Sequence, residues 1–478
     1  MVKKDIKQAN ELMVGKSRFS EWYSQILLAA DIIDKRYSVK GGNVWLNYGY
    51  GVMLNIKKYW DELFHAEGIK EMYFPLLVPI SYCEKNEKWW KGFKNQAFWV
   101  RGGAEKEEYI LRPTGEPAMY PMFKTWIRTF GDLPLKIYET VSSFRYETKQ
   151  TRPLIRDREI TVWHEIHTAH STQEEAEKEA LNHKKMYDKI WEKCALSPLV
   201  VRKPLFECFP GAIGSFEYYN LMPNGKVMEN GSINNLGQAY AKKFGIKFKN
   251  NTGKEDFAWM ICTGNGARLL AAVISVHGDD NGLILPPEIA PIQVVIIPIF
   301  NKKNKNKIFK KVDSIKKELE KLGIRVQTDL RDESAGKKFY DWEIKGVPLR
   351  IEIGPRDMVK KSVMLVRRDN KVKKIMKETQ LKQIVKILDN VQKNLLENSN
   401  KELRSSITKV DNLKKLETVL KKNKMGKVFW CGSESCWDKI KAIEEGVELF
   451  GTDLKSVKGK CVVCGKDSEE FGYVANTY

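Results

Sequence analysis

The sequence predicts a mixed α/β (α+β) protein of about three domains, and three observations support this fold class. Residues 141–170 form two β-prone runs around a polar loop, which is typical of an antiparallel sheet. From residue 293 the pattern changes to strand, helix, strand, which is typical of a layered α/β unit. Further along, four cysteines form two close pairs. At 478 residues the chain is long for one core, so we divide it at residues 1–288, 289–395 and 396–478.

The composition favours a polyanionic partner. The chain has 82 Lys and Arg against 61 Asp and Glu, a net charge of +21, which points to nucleic acid unless a general lysine bias supplies it. No apolar run approaches the roughly 20 residues of a membrane span, so no membrane association is expected. Four cysteines are isolated, as in a reducing cytoplasm, where we expect this protein. They are Cys83, Cys194, Cys208 and Cys262.

The first 130 residues show two helical patterns followed by short strands. Residues 18–36 and 51–66 repeat apolar side chains at helical spacing, and residues 68–75 read as a strand ended by proline. Residues 108–112 form another strand, and a turn leads into a helix at 118–130. Thr114 and Glu116 lie at the entrance of this helix, where an N-cap and a first-turn acid are the ordinary alternative to a functional role.

Residues 141–170 carry too much charge for a core hairpin. The first strand places Arg145 and Glu147 on one face, and the loop at 148–157 adds Arg152 and Arg156. Fixed guanidinium groups beside a carboxylate suit a nucleoside triphosphate, whereas the alternative is a solvated hairpin with scattered salt bridges. The return strand alternates between two faces. One face carries Ile160, Val162 and Ile166, and the other Glu159, Thr161, Trp163, Glu165 and His167.

The next elements alternate between helix and strand. Residues 172–194 predict a charged helix, and strands at 214–222 and 226–228 are joined by a hairpin turn. Residues 261–268 then place Arg268 in the first turn of an apolar helix at 269–277. A lone Gly-x-x-x-Arg pattern has little specificity, but its position would make Arg268 face a bound nucleotide from the side opposite Arg145.

The α/β unit begins with an apolar strand at residue 293. A helix at 306–322, a strand at 324–329 and a helix at 337–342 follow, and further strands lie at 349–353 and 362–367. This order predicts a mostly parallel sheet. Residues 380–424 then predict a charged connecting helix with one apolar stripe.

The cysteine pairs are the sharpest metal signal in the sequence. Cys431 and Cys436 form one pair, and Cys461 and Cys464 form the other. Four thiolates in two turns suit a closed, structural Zn²⁺ site without catalytic metal chemistry. Two disulfides are the alternative, which a cytoplasmic location disfavours.

Residues 144–158 resemble motif 2 of the class II aminoacyl-tRNA synthetases, with Phe-Arg-x-Glu, a variable loop and an arginine-containing return. The chain is similar over nearly its whole length to the archaeal and eukaryotic type of prolyl-tRNA synthetase. The segments that carry the resemblance are 19–23, 39–41, 111–116, 346–350 and 477–478. The resemblance implies an antiparallel-sheet catalytic domain at 1–288, an anticodon-binding domain at 289–395, and a helical linker with a small zinc-binding domain at 396–478.

The resemblance also implies a reaction. A proline–tRNA ligase uses ATP and Mg²⁺ to form prolyl-adenylate and then transfers proline to tRNA(Pro). Neither step needs a protein nucleophile, because positioning and charge neutralisation by arginines serve in-line phosphoryl substitution. Residues 51–75 resemble motif 1, which implies a homodimer, although alone they indicate only a helix and an edge strand.

Residue roles follow from the same resemblance. The implied catalytic residues are Arg145, Arg268 and Glu116. The implied ATP-binding residues are Arg145, Glu147, Arg156, Glu229 and Arg268. The implied amino-acid-binding residues are Thr114, Glu116, Arg145, Trp163, Glu165, His167, Ser232 and Asn234. Glu343 and Arg350 fall where the family reads the anticodon; the alternative is a surface Glu and a sheet-edge Arg.

The chain departs from the family on one predicted side of the pocket. It has Ile213 and Gly214 where relatives read differently, and Glu229, Ser232 and Asn234 where relatives read Gln, Thr and His. Compensating changes in a divergent lineage are one explanation. A paralogue with altered amino-acid specificity, accepting proline or a larger or more polar analogue, is another. A tRNA-binding protein without ligase activity is a third, but it predicts damage to Arg145, Glu147 or Arg268, and all are present.

Overall fold

Strands and helices alternate along most of the chain. The computed structural model describes residues 12–102, 108–148 and 150–478. The strands of these residues are β1 Ile33–Asp34, β2 Val44–Trp45, β3 Lys70–Glu71, β4 Leu77–Pro79, β5 Phe98–Arg101, β6 Glu108–Leu111, β7 Leu135–Phe144, β8 Glu159–His170, β9 Leu199–Arg202, β10 Gly214–Leu221, β11 Lys226–Gly237, β12 Lys247–Lys249, β13 Glu255–Phe257, β14 Trp259–Asn265, β15 Val294–Pro298, β16 Val326–Thr328, β17 Leu349–Ile353, β18 Ser362–Arg367, β19 Lys373–Lys377, β20 Ile407–Lys409, β21 Met425–Trp430, β22 Val447–Thr452, β23 Gly459–Lys460, β24 Asp467–Ser468 and β25 Glu470–Thr477.

The α-helices pack on these strands or connect them. They span Phe19–Ala29, Asn47–Ala66, Ile80–Cys83, Glu87–Phe93, Glu116–Trp126, Gln173–Lys193, Ala239–Phe244, Arg268–His277, Lys305–Lys321, Ala335–Ile344, Pro355–Lys360, Gln383–Ser406, Leu413–Leu420 and Glu434–Lys441. Within the residues that the structure describes, none of these helices combines the length and apolarity that crossing a bilayer requires.

One sheet of 11 strands organises the molecule, in the order β20-β21-β25-β22-β9-β10-β11-β14-β8-β7-β3. Its centre is an antiparallel set, β10-β11-β14-β8-β7, as the sequence predicts for the catalytic domain. Helix Gln173–Lys193 covers one face of this centre: His183 hydrogen-bonds Thr263 and Tyr187 hydrogen-bonds His164. The opposite face is therefore the one left open for a site.

The predicted alternation of β8 is wrong at one point because the strand contains a β-bulge. Val141 of β7 pairs with Trp163 and Ser143 pairs with Ile160, so β8 has one extra residue between these pairs. Val162 adopts a φ of 54°, in the left-handed region. The bulge turns Ile160 to the same side as Trp163, while Val162 lies in the core.

Arg145 and Glu147 do not share a strand face as predicted, because β7 ends at Phe144. The chain turns tightly there, and the Glu147 N–H donates to the Arg145 carbonyl at 2.7 Å. The Arg145 N–H still donates to the Arg158 carbonyl, at 2.9 Å, so the two arms of the hairpin stay together beyond the strand.

The elements near the N-terminus are shorter or shifted relative to the prediction. The first helix ends at Ala29, not residue 36, and Asp31 then has a φ of 55°. The second begins at Asn47, not residue 51. The strand predicted at 68–75 shrinks to β3, which adds to β7 in parallel at the sheet edge. The helix predicted at 118–130 starts at Glu116 and ends at Trp126.

The α/β unit contains the predicted elements, but only half of its strand pairings are parallel. Strand β15 pairs in parallel with β16 and β17, whereas β17-β18 and β18-β19 are antiparallel. Strand β19 was not predicted. Its sequence, Lys-Lys-Ile-Met-Lys, is charged because it lies at the sheet edge, where lysines disfavour pairing with a further strand.

The single helix predicted at 380–424 is wrong. The helix ends at Ser406, and β20 then pairs in parallel with β21 before helix Leu413–Leu420 begins. The sequence explains the break, because Ile407 and Thr408 are β-branched. The Asn412 side chain accepts the Lys415 N–H at 2.9 Å and caps the next helix.

The last part of the chain completes the central sheet. Strand β25 lies between β21 and β22, and its end also pairs in parallel with β11, Lys226 opposite Asn476. Thr452 of β22 pairs with Arg202 of β9. The cysteine-rich segment is thus joined to the antiparallel sheet through backbone pairing.

Candidate active site

An open cavity of about 220 Å³ lies on the free face of the sheet. All twelve residues that the sequence analysis proposed for ATP and amino-acid binding line it. They are Thr114, Glu116, Arg145, Glu147, Arg156, Trp163, Glu165, His167, Glu229, Ser232, Asn234 and Arg268. Ile213 and Gly214 do not: they line a separate cavity with Ile233 and Asn235. The prediction that they alter this pocket is wrong, because Ile233 and Asn235 alternate with Ser232 and Asn234 and face the other side of the sheet.

The floor of the cavity is built from cross-strand rows. Ser232 of β11, Gly264 of β14 and Glu165 of β8 form one row. A second row consists of Asn234, Cys262 and His167 on the same three strands. Residues directly opposite each other in neighbouring strands point to the same side, so strand register brings these side chains together.

A buried carboxylate and hydroxyl network occupies one end of the cavity. Thr114 Oγ1 lies 2.6 Å from both Glu116 Oε2 and Glu165 Oε1, and Trp163 Nε1 donates to Glu165 Oε1 at 2.7 Å. One hydroxyl proton cannot serve two carboxylates, so one carboxyl group carries a proton. Burial and the charge of Glu165 raise the pKa of Glu116, which therefore holds it.

Glu165 is the ionised member of this network. Burial opposes its charge, but the hydrogen bond and charge of His167, with the Thr114 hydroxyl and Arg112, outweigh burial and lower its pKa to about 2. Burial would lower the pKa of His167, yet Glu165 and Glu116 raise it overall. His167 also meets the Tyr120 hydroxyl at 3.0 Å. The ionised Glu165 carboxylate, with His167 beside it, is the acceptor that this end of the cavity offers to a small cationic group.

A fully buried ion pair lies beneath Glu165. Arg112 Nη1 is 2.6 Å from Glu139 Oε1, and the two side chains are 1% and 0% exposed. Glu139 stands directly opposite Glu165 in the β7-β8 register and accepts the Phe74 N–H at 3.2 Å. Arg112 therefore balances two buried carboxylates.

Replacing Glu139 by leucine is expected to destabilise the catalytic region by about 3 to 5 kcal/mol, because Arg112 would stay buried without its partner. Urea unfolding followed by tryptophan fluorescence measures this change. The matched control is Glu21→Gln, which breaks the exposed Arg18–Glu21 pair and is expected to cost under about 1 kcal/mol. Equal costs for the two variants would contradict the role given to the buried pair.

Three guanidinium groups line the other end of the cavity. Arg145 Nε donates to the Pro113 carbonyl at 3.2 Å, and Arg268 donates to the carbonyls of Ile155 and Glu229, each at 2.9 Å. Arg156 reaches Glu147 only at 4.0 Å. Among the residues that the structure describes, neither Arg145 nor Arg268 has a carboxylate within ion-pair distance. Arg145 and Arg268 are therefore free of close ion pairs and suit a polyphosphate, with Glu147 and Glu229 lining the same cavity.

Small residues and aromatic rings shape the cavity around these charges. A Cβ on Gly115 would overlap Glu165 Oε2, and one on Gly264 would lie 2.8 Å from Trp163 Cζ2. The guanidinium carbon of Arg145 lies 5.6 Å from the Phe93 ring and 5.8 Å from the Trp163 ring. The rings of Phe93 and Trp163 therefore hold the Arg145 guanidinium in place.

Phe93, Ile160 and Cys262 also line the cavity but were not predicted. Ile160 reaches it through the bulge, and Cys262 through its register opposite His167. The alternation of Cys262 with Ile261, which is buried in the core, was a usable signal for Cys262. Phe93 lies in a helix that no motif marks.

The two residues predicted to read an anticodon lie together in the α/β unit. Glu343 and Arg350 line a second cavity of about 200 Å³ that also includes Trp342, Arg368 and Lys371. Arg350 Nε donates to Glu352 at 2.9 Å, and its guanidinium carbon lies 4.2 Å from the Phe339 ring. Glu343 Oε1 accepts the Asn281 amide at 3.2 Å.

The four clustered cysteines converge. The sulfur atoms of Cys431, Cys436, Cys461 and Cys464 all lie within 4.8 Å of one another, and all four thiols are free. The Sγ atoms of Cys464 and Cys431 are 3.7 Å apart. The cluster could hold a metal ion, and two disulfides are not present.

Three family models match the chain. A tRNA synthetase class II core domain (G, H, P, S and T) matches residues 98–277. An anticodon binding domain matches residues 293–389, and a prolyl-tRNA synthetase C-terminal domain matches residues 413–478. The first match contains almost all of the cavity, and the last contains the cysteine cluster.

Full-length relatives and solved structures agree with these matches. The proline–tRNA ligase of Pyrococcus abyssi is 40% identical, over 96% of this chain and 98% of its own. That of Methanosarcina mazei is 41% identical, over 97% and 98%. The structure of Giardia lamblia prolyl-tRNA synthetase in complex with prolyl-adenylate superposes with a TM-score of 0.93 at 34% identity, covering 97% of this chain and 99% of that one. The chain therefore belongs to the prolyl-tRNA synthetase family of class II aminoacyl-tRNA synthetases.

Proposed function

We propose that this chain attaches proline to tRNA(Pro) in two ATP-dependent steps through prolyl-adenylate. The observation that carries the proposal is the presence, in one cavity, of an ionised Glu165 together with Arg145 and Arg268, neither of which is held in a close ion pair by a residue that the structure describes. These charges match the ammonium end of an amino acid and the phosphates of ATP. The relatives named proline–tRNA ligase and the prolyl-adenylate in the Giardia lamblia structure support it.

In the first step, a carboxylate oxygen of proline attacks the α-phosphorus of ATP while the bond to pyrophosphate breaks. Arg145 lies over the ring of Trp163, whose Nε1 bonds Glu165, so its guanidinium would reach both the proline carboxylate and the α-phosphate. Arg156 and Arg268 would neutralise the leaving pyrophosphate, and Glu147 would accept the adenine amino group. In-line displacement of this kind depends on positioning and charge neutralisation.

The secondary ammonium group of proline would bind at the Glu165 end. Glu165 accepts hydrogen bonds there, Thr114 orients it, and protonated Glu116 avoids a second negative charge. In the second step, a ribose hydroxyl at the 3′ end of tRNA attacks the carbonyl carbon of the adenylate and releases AMP. The tRNA supplies the nucleophile, so no side chain forms a covalent intermediate.

ATP enters as its Mg²⁺ complex, and the cation would share the neutralisation of the phosphates. Glu229 is exposed at the edge of the cavity, and its carboxylate forms no ion pair with any residue that the structure describes. The Glu229 carboxylate lies close enough to Arg268 to act on it electrostatically. It would therefore be able to contact a cation bound to the phosphates.

The cysteine cluster would hold one structural Zn²⁺ ion. Tetrahedral ligation with Zn–S bonds of about 2.3 Å requires sulfur atoms about 3.8 Å apart, and Cys431 and Cys464 are 3.7 Å apart. Four thiolates fill the coordination sphere and leave no position for substrate. The ion would cross-link β21 to the turn at Cys461.

The α/β unit would recognise the anticodon of tRNA(Pro). The carboxylate of Glu343 can accept the N1–H and amino groups of guanine, and the fork of Arg350 can donate to its O6 and N7. Both face one cavity beside the exposed Lys371 and Lys373, whose charges would contact the nucleic acid backbone.

The chain would act as a cytoplasmic homodimer. Large apolar side chains stay exposed on helix Asn47–Ala66 and the segment that follows it: Tyr50 and Leu54 are 41% and 43% exposed, and Tyr73 and Leu77 are 73% and 47% exposed. An exposed apolar group on consecutive elements is typical of a protein interface. This surface would pair with its copy in a second subunit.

Pyrophosphate exchange into ATP tests the activity directly. Proline is expected to support exchange with a kcat/KM at least about a hundredfold above that of alanine. Alanine lacks the ring, so it makes fewer contacts with the pocket and fills it poorly. Transfer to a tRNA(Pro) transcript is then expected. Exchange with no amino acid would favour the tRNA-binding alternative, which the comparisons do not favour. Weak exchange with proline that a larger or more polar proline analogue exceeds would favour the altered-specificity alternative.

A further inference from the structure

A tight turn at residues 152–156 lies against the cavity, which Leu154, Ile155 and Arg156 line. Two backbone hydrogen bonds close it: the Arg152 N–H donates to the Arg156 carbonyl at 3.0 Å, and the Arg156 N–H donates to the Arg152 carbonyl at 2.7 Å. Leu154, in the middle of the turn, is buried and has a φ of 65°, in the left-handed region that a leucine rarely adopts. Such a conformation persists only where the surrounding structure holds it.

Asp157 holds this turn from the next position in the chain. Its side chain is 8% exposed, and its Oδ2 accepts the N–H of Leu154 at 2.8 Å. Its Oδ1 accepts the side-chain amide of Asn43, also at 2.8 Å. The carboxylate therefore ties the strained residue to a segment more than a hundred residues away in the chain. Without it, the N–H of a buried residue would lose its acceptor, which is costly.

The turn fixes two of the guanidinium groups that the proposed function assigns to the leaving pyrophosphate. Arg156 is the last residue of the turn and lines the cavity. Arg268 belongs to the helix Arg268–His277, and its Nε donates to the Ile155 carbonyl at 2.9 Å. Glu165, at the other end of the cavity, takes its hydrogen bonds from residues outside the turn. A displaced turn would thus move Arg156 and Arg268 but leave the groups that would bind proline.

From these contacts we infer that Asp157 is a positioning residue for ATP: it holds the turn so that Arg156 and Arg268 meet the phosphates at fixed places. The inference rests on the proposed function and adds to its ATP site a residue that the sequence did not predict. Both oxygens of Asp157 accept hydrogen bonds from the protein, so it acts through the two arginines and not on ATP itself. In-line displacement depends on the placement of charge, so a displaced turn would impair the use of ATP selectively.

Proline-dependent pyrophosphate exchange by the full chain tests the inference, with KM measured for ATP and for proline. Burial raises the pKa of Asp157 to about 7, so the assay is run at about pH 8, where the carboxylate is ionised. In Asp157→Ala the ratio of KM for ATP to KM for proline is expected to rise at least about tenfold, because a misplacement of about 1 Å can cost that much or more. Asp157→Asn keeps one acceptor oxygen, so its ratio is expected to lie between those of Asp157→Ala and the unmodified protein.

Glu159→Ala is the matched control, because Glu159 is an exposed carboxylate on the same hairpin and does not line the cavity. Its ratio is expected to equal that of the unmodified protein. Asn43→Ala removes one of the two bonds to Asp157 and is expected to raise the ratio, which keeps the test available if Asp157→Ala does not fold. The inference is overturned if the ratio rises less than about tenfold in a folded Asp157→Ala, or is unchanged in Asn43→Ala.

Calorimetric titration with ATP and Mg²⁺ alone separates this inference from the proposed function. The dissociation constant for ATP is expected to rise at least about tenfold in Asp157→Ala, whichever amino acid the protein activates. A smaller rise would count against the positioning role. Absence of exchange with every amino acid would remove the proposed function, and the titration would still decide the role of Asp157.

Discussion

Replacing Arg145 by alanine is expected to lower kcat/KM for proline-dependent pyrophosphate exchange by about a thousandfold or more. Its guanidinium is held by the Pro113 carbonyl and by the rings of Phe93 and Trp163, with no carboxylate to neutralise it. A preorganised donor of this kind stabilises charge that develops in the transition state, and losing one costs about 10²- to 10³-fold. Loss of the proline carboxylate contact adds to this effect.

Two variants make the Arg145 result specific. Arg145→Lys keeps the charge but not the planar fork, so we expect an intermediate loss. Arg128→Ala removes an exposed arginine that does not line the cavity, and its activity should match that of the unmodified protein. If Arg145→Ala keeps more than a tenth of the activity, the position given to the substrate is wrong.

If the cysteine cluster binds zinc as proposed, replacing Cys431 by serine is expected to lower the zinc content below one equivalent and the melting temperature of the cysteine-rich segment by at least about 5 °C. Metal binding and folding share one free energy when the ligands converge only in the native state. About 1 kcal/mol shifts the melting temperature of a domain by several degrees. Plasma mass spectrometry of the purified protein and differential scanning calorimetry measure the two quantities together.

The control for this experiment is Cys208→Ser, since Cys208 lies outside the cluster and its sulfur contacts Ser215 and the Lys203 carbonyl. This variant should keep one equivalent of zinc. A Cys431→Ser protein that retains stoichiometric zinc would contradict four-thiolate ligation. Iron in place of zinc in the purified protein would contradict the choice of metal.

The sequence predicted elements well where local pattern and final structure agree. Strands β17 and β18 begin and end where predicted. The apolar residues of β17 alternate with charged ones between Pro348 and Gly354, and β18 is a short apolar run that ends at Arg367. Helix Gln383–Ser406 was predicted too long. The residues after Ser406 are as highly charged as the helix, so the sequence did not show that a strand begins there. Propensity is local, whereas β20 exists only because β21 is beside it.

The candidate site was also predicted only in part from the sequence. The resemblance to the family's motifs predicted the twelve side chains that line one cavity. The bulge at Val162 was not predictable, because a β-branched residue disfavours a positive φ. Only the register between β7 and β8 requires it. Ile160 and the buried amide of Asn234, whose Oδ1 has no partner among the described residues, depend on that register or on cross-strand neighbours, which a one-dimensional pattern does not contain.

The pairing of β22 and β25 with β9 and β11 has a consequence for biosynthesis. Thr452 and Arg202 lie 250 residues apart in the chain and share the same sheet. At translation rates of about 5 to 20 residues per second, the interval between them is roughly 12 to 50 s. During that interval β9 would leave the ribosome without its eventual neighbour, and an exposed strand edge invites association with other chains. Nascent copies of this protein would therefore depend on protection of that edge while they are still being made.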